Sequence, residues 1–220
     1  MDFEAARARL IQHLSTEIRD KRVLAVMARI PRERFVPPEQ LPGAYDDRPL
    51  PIGLDQTISQ PYIIAFMTEA LELTGREKVL EVGTGSGYQA AILAGLARSV
   101  ITVERLPALA EGAKRVLDSL GYANIIVHLA EETIGWQCEA PYDAIVVTAG
   151  APHVPTDLLA QLAINGRMVI PVGSRYVQEL CKITRHRSKN TIQNLGGCRF
   201  VSLVGKDAWE EELKNKVNWC

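Results

Sequence analysis

A glycine-rich turn followed about twenty residues later by an acid is the pattern in this chain that carries the clearest chemistry. Gly83, Gly85 and Gly87 alternate directly after an apolar run, and glycines let a backbone turn sharply and approach a ligand closely. Glu104 ends the next apolar run, where a carboxylate can hold the hydroxyl groups of a ribose. The pattern therefore predicts a site for a ligand that contains a nucleoside.

The spacing of the three glycines separates two classes of ligand. Dinucleotide sites follow G-x-G-x-x-G, whereas the third glycine here, Gly87, comes one residue earlier. This spacing disfavours an NAD-dependent oxidoreductase. With the acid Glu81 before it, the turn is similar to motif I of class I methyltransferases. Their cofactor, S-adenosyl-L-methionine, has a ribose, a sulfonium and an amino-acid end but no phosphate.

Strands and helices alternate regularly around this turn. Apolar runs predict strands at 78–82, 100–103, 125–129, 143–148 and 167–172, and helical patterns at 86–96, 108–120 and 156–163. Such alternation with continuous apolar strands indicates a parallel sheet covered on both faces. The predicted fold class is α/β, a doubly wound, mostly parallel sheet of the Rossmann-like methyltransferase type, with N-terminal helices and C-terminal edge strands.

The regions on either side of this core have different patterns. Helical spacing predicts one or two helices over 3–29 and another over 62–73, with an irregular, turn-rich segment over 44–60 between them. Short β-like pieces at 180–184 and 200–204 are expected to add antiparallel strands at the edge of the sheet. We expect one methyltransferase domain over 1–220, made of an N-terminal helical and substrate-loop region (1–75), a cofactor-binding core (76–175), and C-terminal strands and tail (176–220).

Composition and charge exclude several classes of protein. Hydrophobic residues make up 47% of the 220 and charged residues 23%, values that exclude a disordered or fibrous chain. The net charge of -1 predicts no nucleic-acid partner and no membrane partner. No apolar run reaches the roughly 20 residues of a membrane span, and the acidic start of the chain is unlike a signal peptide. We expect a cytoplasmic monomer.

The cysteines form no metal-binding or redox pattern. They include no CxxC pair, and His128 and His153 are not at zinc-finger spacing from them. In a cytosolic chain such thiols stay reduced, so we expect no disulfide framework and no metal site. The four are Cys138, Cys181, Cys198 and Cys220, and the last is expected to be exposed at the chain end.

Segments on both sides of the glycine turn indicate which family this chain resembles. Over about residues 5–205 their order is similar to that of protein-L-isoaspartate O-methyltransferases, and the segment 56–61 is specific to that family. The matching segments are Ala44–Gly53, Gln56–Pro61, Gly83–Ala91, Gly135–Trp136, Ala140–Ile145, Val147–Ala149 and Pro171–Gly173.

The resemblance implies a repair reaction. A methyl group would pass from S-adenosyl-L-methionine to the free α-carboxylate of an L-isoaspartyl residue in a damaged protein or peptide, leaving S-adenosyl-L-homocysteine. The ester then favours succinimide formation, through which some chains regain a normal aspartyl linkage. A carboxylate with a pKa near ~4 is already ionised at neutral pH and needs no general base. Alignment of the reactants and exclusion of water would carry most of the catalysis.

The resemblance also implies roles for individual residues. Ser59 takes the family's active-site position, where it would hydrogen-bond and orient the carboxylate without attacking it. From the residues alone, and not from the resemblance, we interpret Tyr88 and Trp136 as packing residues and not as stacking platforms. The substrate-binding positions are Ile58, Gln60 and Thr148. The cofactor-binding positions are Thr57, Glu81, Gly83, Gly85, Gly87, Glu104, Glu131 and Glu132.

Three positions depart from the family pattern. Gly53–Asp55 stands where Gly-x-Gly is usual, Ala130–Glu132 where Gly-Asp-Gly lies against the adenine, and Ser202 where proline is common. The longer Glu131 and the bulkier Glu132 predict weaker cofactor binding than the family pattern gives. Two alternatives stay open: a related methyltransferase acting on another peptide carboxylate, and a non-catalytic descendant that binds without turnover.

Overall fold

Nine strands form a hairpin and a seven-stranded sheet within residues 2–210, the part of the chain that the computed structural model describes. In chain order they are β1 (Leu50–Gly53), β2 (Gln56–Ile58), β3 (Lys78–Val82), β4 (Ser99–Glu104), β5 (Ile125–Leu129), β6 (Tyr142–Val147), β7 (Leu162–Gly173), β8 (Gln178–Thr184) and β9 (Thr191–Cys198). The hairpin pairs β1 with β2. The large sheet has the order β5-β4-β3-β6-β7-β8-β9.

Parallel strands make up the centre of the large sheet, and antiparallel strands complete one edge. The five strands from β5 to β7 in this order run parallel, whereas β8 and β9 pair antiparallel. The predicted fold class, a doubly wound and mostly parallel sheet with C-terminal edge strands, is therefore confirmed. The end of the predicted tail, 211–220, lies outside the described residues, and so does the expected exposure of Cys220.

Helices cover the sheet on both faces. The α-helices of the described residues are α1 (Phe3–Leu14), α2 (Lys21–Met27), α3 (Pro61–Ala70), α4 (Tyr88–Ala94), α5 (Pro107–Ser119) and α6 (Thr156–Gln161). Side chains of α1 to α5 pack into the core cluster on one face, and α6 contributes Leu158 to the cluster on the other. Among residues 2–210, no helix combines the length and the apolar character needed to cross a membrane.

The N-terminal region, for which the spacing predicted one or two helices, contains two helices, and each begins at its own capping residue. The carboxylate of Asp2 accepts from Ala5 N at 2.9 Å and that of Asp20 from Arg22 N at 2.9 Å. Each carboxylate thus satisfies an amide that the first turn of a helix leaves unpaired. The Asp20 cap starts α2 as a new helix instead of a continuation of α1.

Three strands, β1, β2 and β9, lie where the sequence predicted none. The turn-rich segment 44–60 contains the β1–β2 hairpin, whose turn places Leu54 at φ 53° and Asp55 at φ 59°, positions at which glycine or asparagine is the usual signal. The final edge strand is β9, and the strand predicted at 200–204 is wrong. That segment forms only isolated bridges through Ser202 and Val204. β9 was missed because it is largely exposed and lacks the apolar pattern of a buried strand.

Candidate active site

The site lies where the strand order reverses. β3 has β4 on one side and β6 on the other, and open α/β sheets bind ligands beyond the carboxyl ends of strands at such a point. A cavity opens there. The segments that leave four neighbouring strands line it: Gly83–Ser86 after β3, Glu104 at the end of β4, Ala130–Gly135 after β5 and Thr148 after β6.

The glycine turn needs glycine for two different reasons. Gly83, Gly85 and Gly87 have φ of 101°, 53° and 88°, which is the left-handed region that other residues avoid. A Cβ at Gly83 would overlap Thr148 Oγ1, which itself lies 2.7 Å from the Gly83 carbonyl oxygen. A Cβ at Gly87 would lie 3.3 Å from Leu117 of α5. Gly87 is not part of the cavity wall, so it allows the turn into α4 instead of facing the ligand.

Glu104 is held in place by the main chain. One carboxylate oxygen accepts from Gly85 N at 2.9 Å and the other from Leu106 N at 3.0 Å. The side chain is almost buried, with 7% of its surface exposed. Because each carboxylate oxygen can accept more than one hydrogen bond, Glu104 can still bind the hydroxyl groups of a ribose.

Glu81 lies beneath the cavity and does not line it. The residue is fully buried, and one oxygen accepts from Thr102 Oγ1 at 2.5 Å. The Thr102 hydroxyl lies 2.6 Å from that of Thr84, which does line the cavity. Burial, with a smaller effect of the Glu104 charge, raises the pKa of Glu81 to about 8. Glu81 therefore supports the glycine turn from below as a mainly neutral acid at pH 7.

The turn after β5 forms the wall at which the resemblance puts adenine. Its start is fixed because Ala130 N donates to the carbonyl oxygen of Glu104 at 2.8 Å. Glu131 and Glu132 both line the cavity and both are exposed. The two glutamates of the altered segment Ala130–Glu132 thus lie on the cavity wall itself.

The segment that carries Ser59 forms the opposite wall. Thr57, Ile58 and Ser59 line the cavity. Ile58 is also buried in the core, whereas Ser59 is half-buried. A second, open groove adjoins the cavity, and Ser59 and Thr148 line both. Gln60 lines only the groove.

A buried arginine closes the base of this segment. Arg32 Nε donates to the carbonyl oxygen of Ala44 at 2.8 Å and Nη2 donates to that of Ser59 at 3.0 Å. Its guanidinium lies 4.8 Å from the ring centroid of Tyr88, and Tyr88 lines the cavity next to the glycine turn. One side chain thus joins the two ends of the segment 44–59 and connects them to the cofactor side.

Asp47 provides a second attachment. Its carboxylate accepts from Tyr62 N at 2.8 Å, at the start of α3, and from Gln60 Nε2 at 3.0 Å. Ser59 lies between the groups that Arg32 and Asp47 hold. The backbone at Ser59 is therefore fixed from both sides, which is what an orienting hydrogen bond requires.

The groove combines apolar and charged side chains with Ser59 and Thr148. Its apolar residues include Leu54, Tyr62 and Ile63, and its charged residues are Asp55, Arg105, Arg175 and Arg199.

Several residues of the cavity wall were not predicted. Ile64 and Met67 of α3 and Gln89 of α4 line it, but helical spacing shows only that such residues are buried. The segment Phe200–Gly205 also lines it. This segment is attached through Gly150, whose N donates to the Val201 carbonyl at 2.7 Å, a long-range contact without a local sequence signal. Within residues 2–210, no three His, Cys, Asp or Glu side chains are grouped to hold a metal ion.

Comparison with other sequences gives a consistent result. The profile of the protein-L-isoaspartate(D-aspartate) O-methyltransferase (PCMT) family matches residues 5–208. A protein-L-isoaspartate O-methyltransferase of Geobacter metallireducens is 54% identical over 215 residues, which cover 96% of this chain and 100% of that protein. Protein-L-isoaspartate O-methyltransferase 1 of Syntrophobacter fumaroxidans is 54% identical over 212 residues, covering 96% of this chain and 99% of that one.

Solved structures show the same likeness. A protein-L-isoaspartate O-methyltransferase superposes with a TM-score of 0.83 at 29% identity, over 92% of this chain and 67% of that one. A second protein of that name, from Plasmodium falciparum and in complex with S-adenosyl-L-homocysteine, superposes with a TM-score of 0.77 at 25% identity, over 91% and 99% of the two chains.

Proposed function

The chain belongs to the protein-L-isoaspartate O-methyltransferase family, and from this premise we propose how its cavity and groove carry out the repair reaction. The protein is a methyltransferase that uses S-adenosyl-L-methionine and acts on the free α-carboxyl of L-isoaspartyl residues in damaged proteins and peptides. The observation that carries our assignment of the site is that the cavity and the groove share one wall, to which Ser59 and Thr148 belong. A cofactor in the cavity and a peptide in the groove would meet along this shared wall.

The cavity residues fit the parts of S-adenosyl-L-methionine. Glu104, fixed by two main-chain amides, accepts from the ribose hydroxyls. Gly83 and Gly85 keep the wall free of side chains, so the ligand can approach the backbone closely. The adenine lies against the turn that contains Glu131 and Glu132, and Thr57 closes the cavity on the side of the substrate. The bound cofactor supplies a methyl group already activated by its sulfonium.

Ser59 positions the nucleophile. Its hydroxyl donates a hydrogen bond to the substrate carboxylate, which is ionised at neutral pH and has lone pairs available for attack. The carboxylate oxygen forms a bond to the methyl carbon as the bond from that carbon to sulfur breaks, and the electron pair stays on sulfur. No proton moves, so no general base is needed. Ile58 and the segment Phe200–Gly205 exclude water from this contact.

A comparison of two peptides tests the proposal. An isoaspartyl peptide and its aspartyl isomer of the same sequence are incubated with cofactor labelled in the methyl group. We expect base-labile methyl incorporation into the isoaspartyl peptide only. Equal labelling of both would refute the assignment of the acceptor and favour another peptide carboxylate.

We also propose that the protein acts as a monomer in the cytoplasm, without a nucleic-acid or membrane partner. The net charge of -1 supports the absence of such partners. Within residues 2–210, Cys138, Cys181 and Cys198 are free thiols, as in a reducing compartment. Light scattering over a range of protein concentrations tests the oligomeric state, and a mass of two chains would contradict it.

A further inference from the structure

The groove beside the cavity carries an excess of positive charge. Within residues 2–210, the charged side chains that line it are three arginines and one aspartate, namely Arg105, Arg175, Arg199 and Asp55. Arginine stays protonated in proteins, and one carboxylate can balance only one of the three guanidinium groups. The whole chain has a net charge of -1, so the positive charge is a local property of the groove.

Two of the three arginines are tied to their surroundings. Arg105 directly follows Glu104 and lines both the cavity and the groove. Arg175 lines only the groove, where its Nη2 donates to the carbonyl oxygen of Glu210 at 3.0 Å and its guanidinium lies 4.6 Å from the ring centroid of Trp209. One positive charge therefore lies at the wall shared with the cavity, and the others lie farther along the groove.

Arg199 combines a fixed main chain with an exposed side chain. On one side of it, Cys198 pairs with Gln178 at the end of β9, and on the other, Phe200 N donates to Gln178 Oε1 at 2.8 Å. The side chain lines the groove but not the cavity. It makes no hydrogen bond or ion pair to another residue of the range 2–210, so its guanidinium can contact a ligand without first breaking such a bond.

This charge pattern fits one kind of substrate segment. Ser59 is assigned to the carboxylate that is methylated, which leaves the positive charges of the groove for the residues on either side of the damaged one. Aspartate and glutamate side chains are ionised at neutral pH, and complementary charge gives specificity and faster association. We propose that the groove selects isoaspartyl segments flanked by acidic residues, and that Arg199 is a residue that determines this specificity. The inference rests on the proposed function.

Peptides that differ only in flanking charge provide the test. Each contains one isoaspartyl residue and carries Glu, Gln or Lys on both sides of it. We expect KM to be about two- to fivefold lower for each Glu that replaces Gln, and higher for Lys, as for ion pairs near a surface. The effect belongs in KM because the attraction is the same in the substrate complex and the transition state. It should decrease at high salt, which screens exposed charges.

Charge reversal at Arg199 is the decisive variant. Arg199→Glu places a negative charge at the same point of the groove, so it should remove or invert the preference for the Glu peptide over the Lys peptide. Arg199→Gln should give an intermediate preference. The matched control is Arg187→Glu. Arg187 is exposed in the turn between β8 and β9, at the opposite end of β9, and does not line the groove. This control changes the net charge equally and should keep the preference of the wild type.

The outcomes separate this inference from the proposed function. Equal KM values for the three peptides would overturn the selectivity while leaving the repair reaction intact. An unchanged preference in Arg199→Glu, or an equal change in Arg187→Glu, would overturn the role of Arg199. If the wild type methylates none of the isoaspartyl peptides, the proposed function fails, and this inference with it.

Discussion

Ser59 is held by its main chain, so its side chain can be changed without releasing the loop. The Arg32 bond goes to the carbonyl oxygen of Ser59 and is kept in Ser59→Ala. We expect this variant to lose one hydrogen bond to a charged group, about 1.5–3 kcal/mol, and to lower kcat about ten- to a hundredfold. Steady-state kinetics with an isoaspartyl peptide measures this, and affinity for S-adenosyl-L-homocysteine should stay unchanged. An unaltered kcat would mean that Ser59 only shapes the loop.

Glu81 makes the stability of the fold depend on pH. Burial raises its pKa from an ordinary 4.5 to about 8, so the folded protein holds a proton that the unfolded chain releases earlier. The contribution of Glu81 to the free energy of unfolding should therefore be highest at and below about pH 4.5. It should decrease by on the order of a few kcal/mol as the pH rises to about 8.

The variant Glu81→Gln tests this effect. Its amide oxygen can still accept from Thr102 Oγ1, but the side chain does not ionise. We expect a smaller decrease in unfolding free energy for the variant between about pH 5 and about pH 8.5. Denaturant unfolding at both pH values measures it. If the unfolding free energy decreases with pH by the same amount in both proteins, Glu81 is already ionised in the folded state.

Motif order predicted several residues of the cavity wall, but not their positions in depth. Glu104 and Thr148 line the cavity because they end β4 and follow β6, the two strands on either side of β3, whereas Ser59 reaches it from the β1–β2 hairpin. Glu81 and Gly87 belong to the same motif and lie beneath or behind the wall. Depth depends on how the turn packs against β4 and α5, which the motif does not encode.

The guanidinium of Arg32 joins the two ends of the loop that contains the β1–β2 hairpin. In Arg32→Lys, the ammonium group cannot reproduce the fork that donates to Ala44 and Ser59 together. We expect a loss of about 1–3 kcal/mol of stability and a lower kcat, with affinity for S-adenosyl-L-homocysteine unchanged.

A second arginine provides the control for this prediction. Arg7 Nε donates to the Tyr45 hydroxyl at 2.8 Å, and its guanidinium lies 5.6 Å from the Tyr45 ring centroid. It has the same chemistry at the start of the loop and makes no hydrogen bond to Ser59. Arg7→Lys should lower stability and keep kcat. If both lysine variants have the same kcat, Arg32 is structural and does not position Ser59.

We predict that the turn after β5 binds adenine less tightly than the Gly-Asp-Gly turn that is usual in the family. Glu132 has a Cβ and a charge where glycine is usual, which restricts approach to the backbone. We expect the double change Glu131→Asp, Glu132→Gly to tighten binding of S-adenosyl-L-homocysteine about two- to tenfold, as for one improved hydrogen bond. Calorimetry measures this. Weaker binding would show that the turn has adapted to its own sequence.

Two strands, β6 and β9, show why one could be predicted from the sequence and the other could not. β6 is apolar and buried over almost its whole length, so its run of valine and isoleucine is distinctive. β9 has two adjacent glycines and an exposed surface, and its pairing with β8 is decided by the edge that β8 offers. Such an edge is a property of the assembled sheet.

At the scale of the whole molecule, one core cluster joins the three predicted regions. Leu10 of α1, Val79 of β3 and Leu180 of β8 belong to it. We therefore propose that the chain unfolds as one domain, with a single transition. Far-ultraviolet circular dichroism and tryptophan fluorescence should give the same midpoint in a denaturant titration. Two separate midpoints would indicate that the regions fold independently.

The wall formed by Phe200–Gly205 has a consequence for the life of the chain on the ribosome. Translation delivers Ser59 and the glycine turn before the segment that bonds to Gly150 and completes the cavity. A nascent chain that has emerged only as far as β9 carries all seven strands of the large sheet described above and still lacks one side of its binding site. The enzyme should therefore become competent only after Phe200–Gly205 has emerged, and termination of translation between β9 and this segment should yield protein that folds but does not repair.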